Sequence, residues 1–474
     1  KIYSIYLVAV VLAAALGACT APPLVDKQVD ISLPLSYTDS QDTTNVAAIG
    51  WRDYFKDPYL IALIDTALLN NRELNITLQE IAISRNEVKI RRGEYLPFVG
   101  LGSSAGFEKS GRFTRNGALE STTDIAPGEE FPEPLPDLMF GAYASWEIDI
   151  WRKLRNAKKS ALTRYLSSVE GRNFMVTQLI AEIADAYFEL LGLDSQLEIL
   201  NRNIKIQQNA LEVVTLQKQA ARVTELAVRK FEAEVLGTQS LRFDVEQKII
   251  ETENRINLLV GRFPVAVKRT AGGLDKLTPQ AVHEGVPAQL LLNRSDIKQA
   301  ELELAASRLD VKVARAQFLP SLGISAGLGG QAFNLSKLVK APQSLVYAMA
   351  GEMTAPLINK KAIEAAYSTA NAKQVQAVYH YEQVVLNAVT EVTNRLSLIH
   401  NLEESYALRE RQVEALTESI DISNRLFNSA RADYMEVLLT QRDALESRFE
   451  LIETKREQMS AMVNIYQALG GGWN

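Results

Sequence analysis

From Leu357 to Leu469 the chain has neither proline nor glycine, and between Pro136 and Pro264 it has no proline. Proline breaks helices and glycine weakens them. Long stretches free of both, rich in Ala, Leu, Glu, Gln and Arg, therefore predict helices far longer than those of ordinary globular domains. Stepping alternately three and four residues from Val378 reaches Tyr381, Val385, Ala388, Val392, Ile399, Leu402, Tyr406, Val413, Leu416, Ile420 and Phe427, broken only at Arg395, Arg409 and Ser423. The same stepping carries Leu179 through Ile183, Leu190, Leu197 and Leu200 to Leu211 and Val214, broken at Gln207. Sustained 3/4 spacing is coiled-coil packing. Both seams fade, at "QKQAARVTELAVRKFEAEV" and at "FNSARADYMEVLLTQRDAL", and a new one starts through Tyr434, Leu438, Gln441 and Leu445. Each stretch is expected to turn back on itself, at about Ala220 to Glu225 and Ala430 to Asp433.

The chain also repeats itself. "LNNRELNITLQEIAISRNEVKIRRGEYLPFVGLGSSAG" from Leu69 aligns without a gap on "LNRSDIKQAELELAASRLDVKVARAQFLPSLGISAGLG" from Leu292, with Ser84 and Arg85 on Ser307 and Arg308 and Leu96-Pro97 on Leu319-Pro320. A match of that length indicates internal duplication. The expected organisation is a signal peptide at 1–18, an extended leader at 19–50, a first repeat at 51–261, a linker at 262–289 and a second repeat at 290–474.

After each Leu-Pro the period changes to two. Leu322, Ile324, Ala326 and Leu328 alternate with Ser321, Gly323, Ser325 and Gly327, and Val99, Leu101, Ala105 and Phe107 with Gly100, Gly102, Ser104 and Gly106. Each strand has a return partner: Phe140, Trp146 and Ile148 oppose Glu147 and Asp149, and Leu345, Tyr347, Met349 and Met353 oppose Glu352 and Thr354. Such alternation suits a membrane barrel wall and equally a half-buried soluble sheet. In a barrel, Glu147, Asp149 and Glu352 belong to the water-filled side.

The single cysteine, Cys19, ends an apolar start in "LGACTAPPL". Lys1, an apolar run and small residues make the pattern of a secretory signal. "LGAC" resembles the bacterial lipobox, which implies a diacylglyceryl thioether on Cys19 as a membrane anchor, with no other cofactor. One thiol forms no internal disulfide and no thiolate metal cluster. The three histidines are His283, His380 and His400, and the last two are too far apart along one helix to share a metal. A net charge of −6 with no basic cluster argues against nucleic acid as a partner. No G-x-S-x-G, H-E-x-x-H or phosphate loop supports an enzyme.

These pieces together resemble the TolC family of outer-membrane channels, in its lipoprotein branch. The resemblance rests on "LGAC", "WRDYFKDPYLIALIDTALLNN", the two "LP" strand starts, "SWEIDIWRKLR", "LLNRSDIKQAE", "SARADYMEVLLTQRDAL" and "YQALGGGWN". It implies a mainly α protein with a membrane β-barrel: a homotrimer whose protomers give four strands each to a twelve-stranded barrel, continuous with a periplasmic tunnel of long coiled-coil hairpins. It further implies passive efflux, with a periplasmic adaptor and an inner-membrane transporter as partners. On that footing, adaptor contacts fall at Arg222, Val223 and Thr224 and at Ala430, Arg431 and Ala432. An acidic gate falls at Asp433 and Glu436, with Arg431, Tyr434 or Arg442 as bonding partners. The family commonly has glycine in the helical turns, where this chain has Ala221 and Ala430. The competing readings are a coiled-coil lipoprotein that tethers the outer membrane without a pore, and an envelope enzyme; membrane hairpins separate the channel from the tether.

Overall fold

The structure, a computed structural model, describes residues 21–37, 44–270, 274, 277, 283–356, 358–429 and 431–473. Cys19, Ala430 and the whole signal segment lie outside the described residues. The principal helices are α1 (Pro58–Asn70), α2 (Arg72–Tyr95), α3 (Lys153–Gln219), α4 (Glu225–Val260), α5 (Ser295–Ala316), α6 (Lys361–Asn428) and α7 (Tyr434–Ala468). The principal strands are β1 (Phe98–Glu108), β2 (Leu135–Ile148), β3 (Ser321–Ala332) and β4 (Leu345–Thr354). α3 has 67 residues and α6 has 68, each about 100 Å long at 1.5 Å per residue. Both helical stretches turn back where the seams fade.

The described residues fall into two compact units, and neither unit is a repeat. One gathers residues up to Gln28 with Ala82–Leu166 and Leu302–Tyr379; the other gathers Val29–Ile81, Ser167–Glu301 and His380 onward. Each repeat contributes to both.

The first unit is built on one antiparallel sheet in the order β1-β2-β3-β4. The two hairpins come from different repeats and join through β2 and β3, with Phe140 opposite Gly330 and Glu147 opposite Gly323. Among the described residues nothing pairs with the outer edges of β1 and β4. A small cluster of Ala314, Phe318 and Tyr367 takes in Leu24 from the leader, where the Asn371 side chain bonds both the N–H and the C=O of Val25.

The second unit holds the main core, where Ile180, Ile183, Tyr187 and Leu190 of α3 meet Leu60 and Ile64 of α1 and Val385 and Val392 of α6. These side chains are essentially fully buried, each contributing about 1.5–3 kcal/mol. Two motifs from opposite ends of the chain meet there. Tyr54 stacks on Tyr466 at 4.1 Å, the Tyr54 hydroxyl donates to the Met462 carbonyl at 2.8 Å, and the Tyr466 hydroxyl donates to the Ile49 carbonyl at 2.6 Å.

The duplication reappears as a joint made twice. In the first copy the Asn71 side chain donates to the Leu259 carbonyl at 2.9 Å; in the second Arg294 donates to the Ala468 carbonyl at 2.8 Å. In both, a glycine with positive φ ends the return helix: Gly261 at +79° and Gly470 at +94°. A Cβ there would strike the carbonyl of Asn70 or Asn293, so the close approach needs glycine. Arg294 adds what Asn71 lacks, a bidentate bond to Asp296 and a 2.8 Å bond to Glu391, and these satisfy its buried guanidinium.

Candidate functional site

Residues paired across a sheet share a face, so the register sorts every strand position. One face carries Val99, Leu101 and Phe107 of β1, Phe140 and Trp146 of β2, Ile324 and Leu328 of β3, and Tyr347, Met349 and Met353 of β4. The other carries Gly100, Gly102 and Ser104, then Tyr143, Ser145 and Glu147, then Gly323, Ser325 and Gly327, then Glu352 and Thr354. The apolar face is open, with Leu101 86% and Tyr347 80% exposed. A soluble half-buried sheet would cover that face. The alternation read along single strands is therefore coherent across all four.

Glu147 and Glu352 lie in one row on either side of Gly323. With no side chain between them, the two carboxylates flank a gap of about two strand spacings, roughly 10 Å. Lys153 pairs with Glu147 at 2.5 Å, a partner that alternation in the strand could not reveal. Asp149 corrects the expectation. β2 ends at Ile148, and the Asp149 carboxylate turns into the start of α3, accepting from the Leu154 N–H at 3.0 Å and the Arg155 N–H at 2.9 Å and pairing with the Arg155 side chain at 3.1 Å. It is a buried cap on the helix and contributes no charge to the polar face.

The helical turns form the second candidate region. α3 ends with Ala221 at φ +55°, its N–H donating to the Lys218 carbonyl while the Arg222 N–H donates to the Gln217 carbonyl at 2.9 Å. The equivalent bond in the second turn runs from the Arg431 N–H to the Leu426 carbonyl at 2.9 Å. The Thr224 hydroxyl caps α4 through the Ala227 N–H. Val223 and Tyr434 are packing residues, resting on a cluster of Val214, Ala227, Phe231, Val437 and Leu438 that binds the two turns together. Single-helix seams flagged Val214 and Leu438 but not their meeting. Arg222 and Arg431 are exposed, and Ala432 is half-buried. Asp433 sits at the N-cap of α7, where its carbonyl accepts from the Glu436 N–H at 3.1 Å while its carboxylate makes no cap bond, and Glu436 lies in the first turn; both are exposed, with no side-chain partner among the described residues. Arg442 pairs with Asp443 at 3.2 Å, and among the described residues it forms no ion pair with either acid.

The family model described as "Outer membrane efflux protein" matches residues 63–262 and 286–471. The chain belongs to the outer membrane efflux protein family. It is 25% identical over 467 residues to the cation efflux system protein CusC of Escherichia coli O6:H1, covering 98% of this chain and 97% of the relative. It is 27% identical over 423 residues to the pyoverdine export outer membrane protein OpmQ of Pseudomonas putida, covering 89% and 88%. Among solved structures, a crystal structure of CusC superposes with a TM-score of 0.83 at 24% identity, covering 95% of this chain and 99% of that one. The open-state MtrE outer membrane channel of Neisseria gonorrhoeae gives 0.83 at 23%, covering 96% and 98%. These structural likenesses establish the fold, and the resemblance to TolC-type channels read from the motifs holds. As an outer membrane efflux protein, the chain contributes its four-stranded sheet to a membrane barrel.

Proposed function

We propose that this efflux channel is a homotrimer at the outer end of a tripartite pump, taking solutes from a periplasmic adaptor and an inner-membrane transporter. The observation that carries this reading is the sheet: four strands, two unpaired edges, one apolar face. Unpaired backbone groups in lipid cost several kcal/mol each, so the edges must be closed by other copies. Three copies make twelve strands, enough for a barrel with a wide lumen lined by the Gly/Ser/Glu face. Glu147 and Glu352 would then recur three times and favour cations. CusC is named for cations and OpmQ for pyoverdine, unlike solutes, which fits a duct whose selectivity is set by its partners.

In the same reading Cys19 carries the lipid anchor, and the exposed Arg222 and Arg431, with Ala430, Ala432 and the backbone around Val223 and Thr224, meet the adaptor. Asp433 and Glu436 form acidic rings at the constriction. An N-cap aspartate whose carboxylate makes no cap bond is available to a neighbouring subunit. The test is single-channel recording with a parallel mass measurement on purified protein. A trimer that conducts, and whose conductance rises in Asp433→Ala/Glu436→Ala, is expected; a monomer, or a trimer that never conducts, would return the chain to the tether reading.

A further inference from the structure

The apolar face of the sheet is notched. The loop between β3 and β4 contains a short helix, Leu335–Leu338, that folds down onto the lipid-facing side and leaves a groove of about 670 Å³ beneath it. Phe140, Ala142 and Leu328 line its wall, and Leu338 and Val339 overhang it. The overhang depends on Gly330: a Cβ there would stand 3.0 Å from the Leu338 carbonyl oxygen and 3.0 Å from the Phe140 ring. Leu335 and Val339, four residues apart and so on one side, are 72% and 77% exposed and extend the lipid-facing band toward the loops.

Two lysines, Lys337 and Lys340, belong to the loop that carries the overhang. The Lys337 ammonium lies 4.4 Å from the centre of the Phe333 ring and 3.6 Å from a Glu129 carboxylate oxygen, in an exposed pair that is worth little in water. Lys340 has no side-chain partner among the described residues. In the proposed barrel, an apolar groove on the lipid side, overhung by a loop that carries two lysines, matches a molecule with an acyl chain below and an anionic head above.

We propose that the groove binds one phosphorylated, multiply acylated lipid of the outer leaflet, with an acyl chain under Leu338 and Val339 and a phosphate at Lys337 and Lys340. The occupant is lipid because the groove is continuous with the face that meets the bilayer. A further copy of the chain closes the barrel through the strand edges, and that leaves this face uncovered.

The experiment uses the full chain in detergent and native mass spectrometry with three probes: diphosphoryl lipid A, its dephosphorylated form and phosphatidylethanolamine. Diphosphoryl lipid A is expected to be retained best, Lys337→Gln/Lys340→Gln to weaken that binding about tenfold, and Ala142→Leu, which fills the groove, to weaken all three. Val339→Ser, on the exposed overhang, replaces Ala142→Leu should the latter fail to assemble. Equal retention of the three lipids by the unmodified chain, or wild-type binding by the lysine variant, overturns the proposal. So does displacement by millimolar inorganic phosphate, which would mark a site for the free anion.

Discussion

Ala221 holds φ +55° where α3 ends, a left-handed conformation that costs a residue with a Cβ about 1 kcal/mol. Its neighbours' bonds, from the Ala221 N–H to Lys218 and from the Arg222 N–H to Gln217, require that conformation, so the strain is imposed by the turn. Ala221→Gly is expected to stabilise the turn by about 0.5–1 kcal/mol. Hydrogen exchange of the turn amides should slow accordingly, and unchanged exchange would show the strain to be absent. Asp149 carries the opposite lesson. Periodicity continued the alternation one step past the strand, because a period of two carries no signal for where a strand stops. The local signal was an aspartate shortly before a long helix, and the structure shows two helix N–H groups bonded to it. Asp149→Ala should lower the melting temperature, by the equivalent of about 1–3 kcal/mol, and leave ion selectivity unchanged.

At the scale of elements, the long helices were legible because a coiled-coil seam is a local, repeated pattern. What the pattern could not show is where its breaks meet. Gln207 lies midway between Leu200 and Val214 on α3, Thr238 midway between Phe231 and Val245 on α4, and Gln441 between Leu438 and Leu445 on α7. The apolar residues on either side belong to two separate clusters that each join these three helices. The level between them is therefore polar. Gln207 is 1% and Gln441 2% exposed, and neither Gln207 amide atom nor the Gln441 carbonyl oxygen has a bonding partner among the described residues. Burying unpartnered amides costs about 1–3 kcal/mol each. Gln207→Leu/Gln441→Leu should raise the thermal stability of the assembled protein; a lower melting temperature would mean that the amides are satisfied in the assembly. An apolar stripe on α2, Ile83 and Ile90 seven residues apart, is exposed at 69% and 55%. In the proposed trimer it is a surface for a neighbouring subunit.

At the scale of the whole molecule, the proposed lumen puts the charges of Glu147 and Glu352 beside the path of small ions. Neutralising Glu147 and Glu352 together as Glu147→Gln/Glu352→Gln should lower the cation-to-anion permeability ratio in reversal-potential recordings, and Asp149→Asn should not. Equal effects of the two changes would place Asp149 back in the lumen. The sequence by itself determined the elements: helices from the missing prolines and glycines and the 3/4 seams, strands from alternation, and two copies of the same plan from the gapless repeat. Each of these is written in neighbouring residues, so each is readable without coordinates. Tertiary structure alone decided which elements share a unit. The repeats interleave, the two hairpins become one sheet through β2 and β3, and the two turns are held by one cluster. It also decided that Glu147 and Glu352 share a row while Asp149 leaves it. Those outcomes depend on contacts between residues far apart in the chain, where burial and backbone pairing select among partners that local periodicity leaves equivalent.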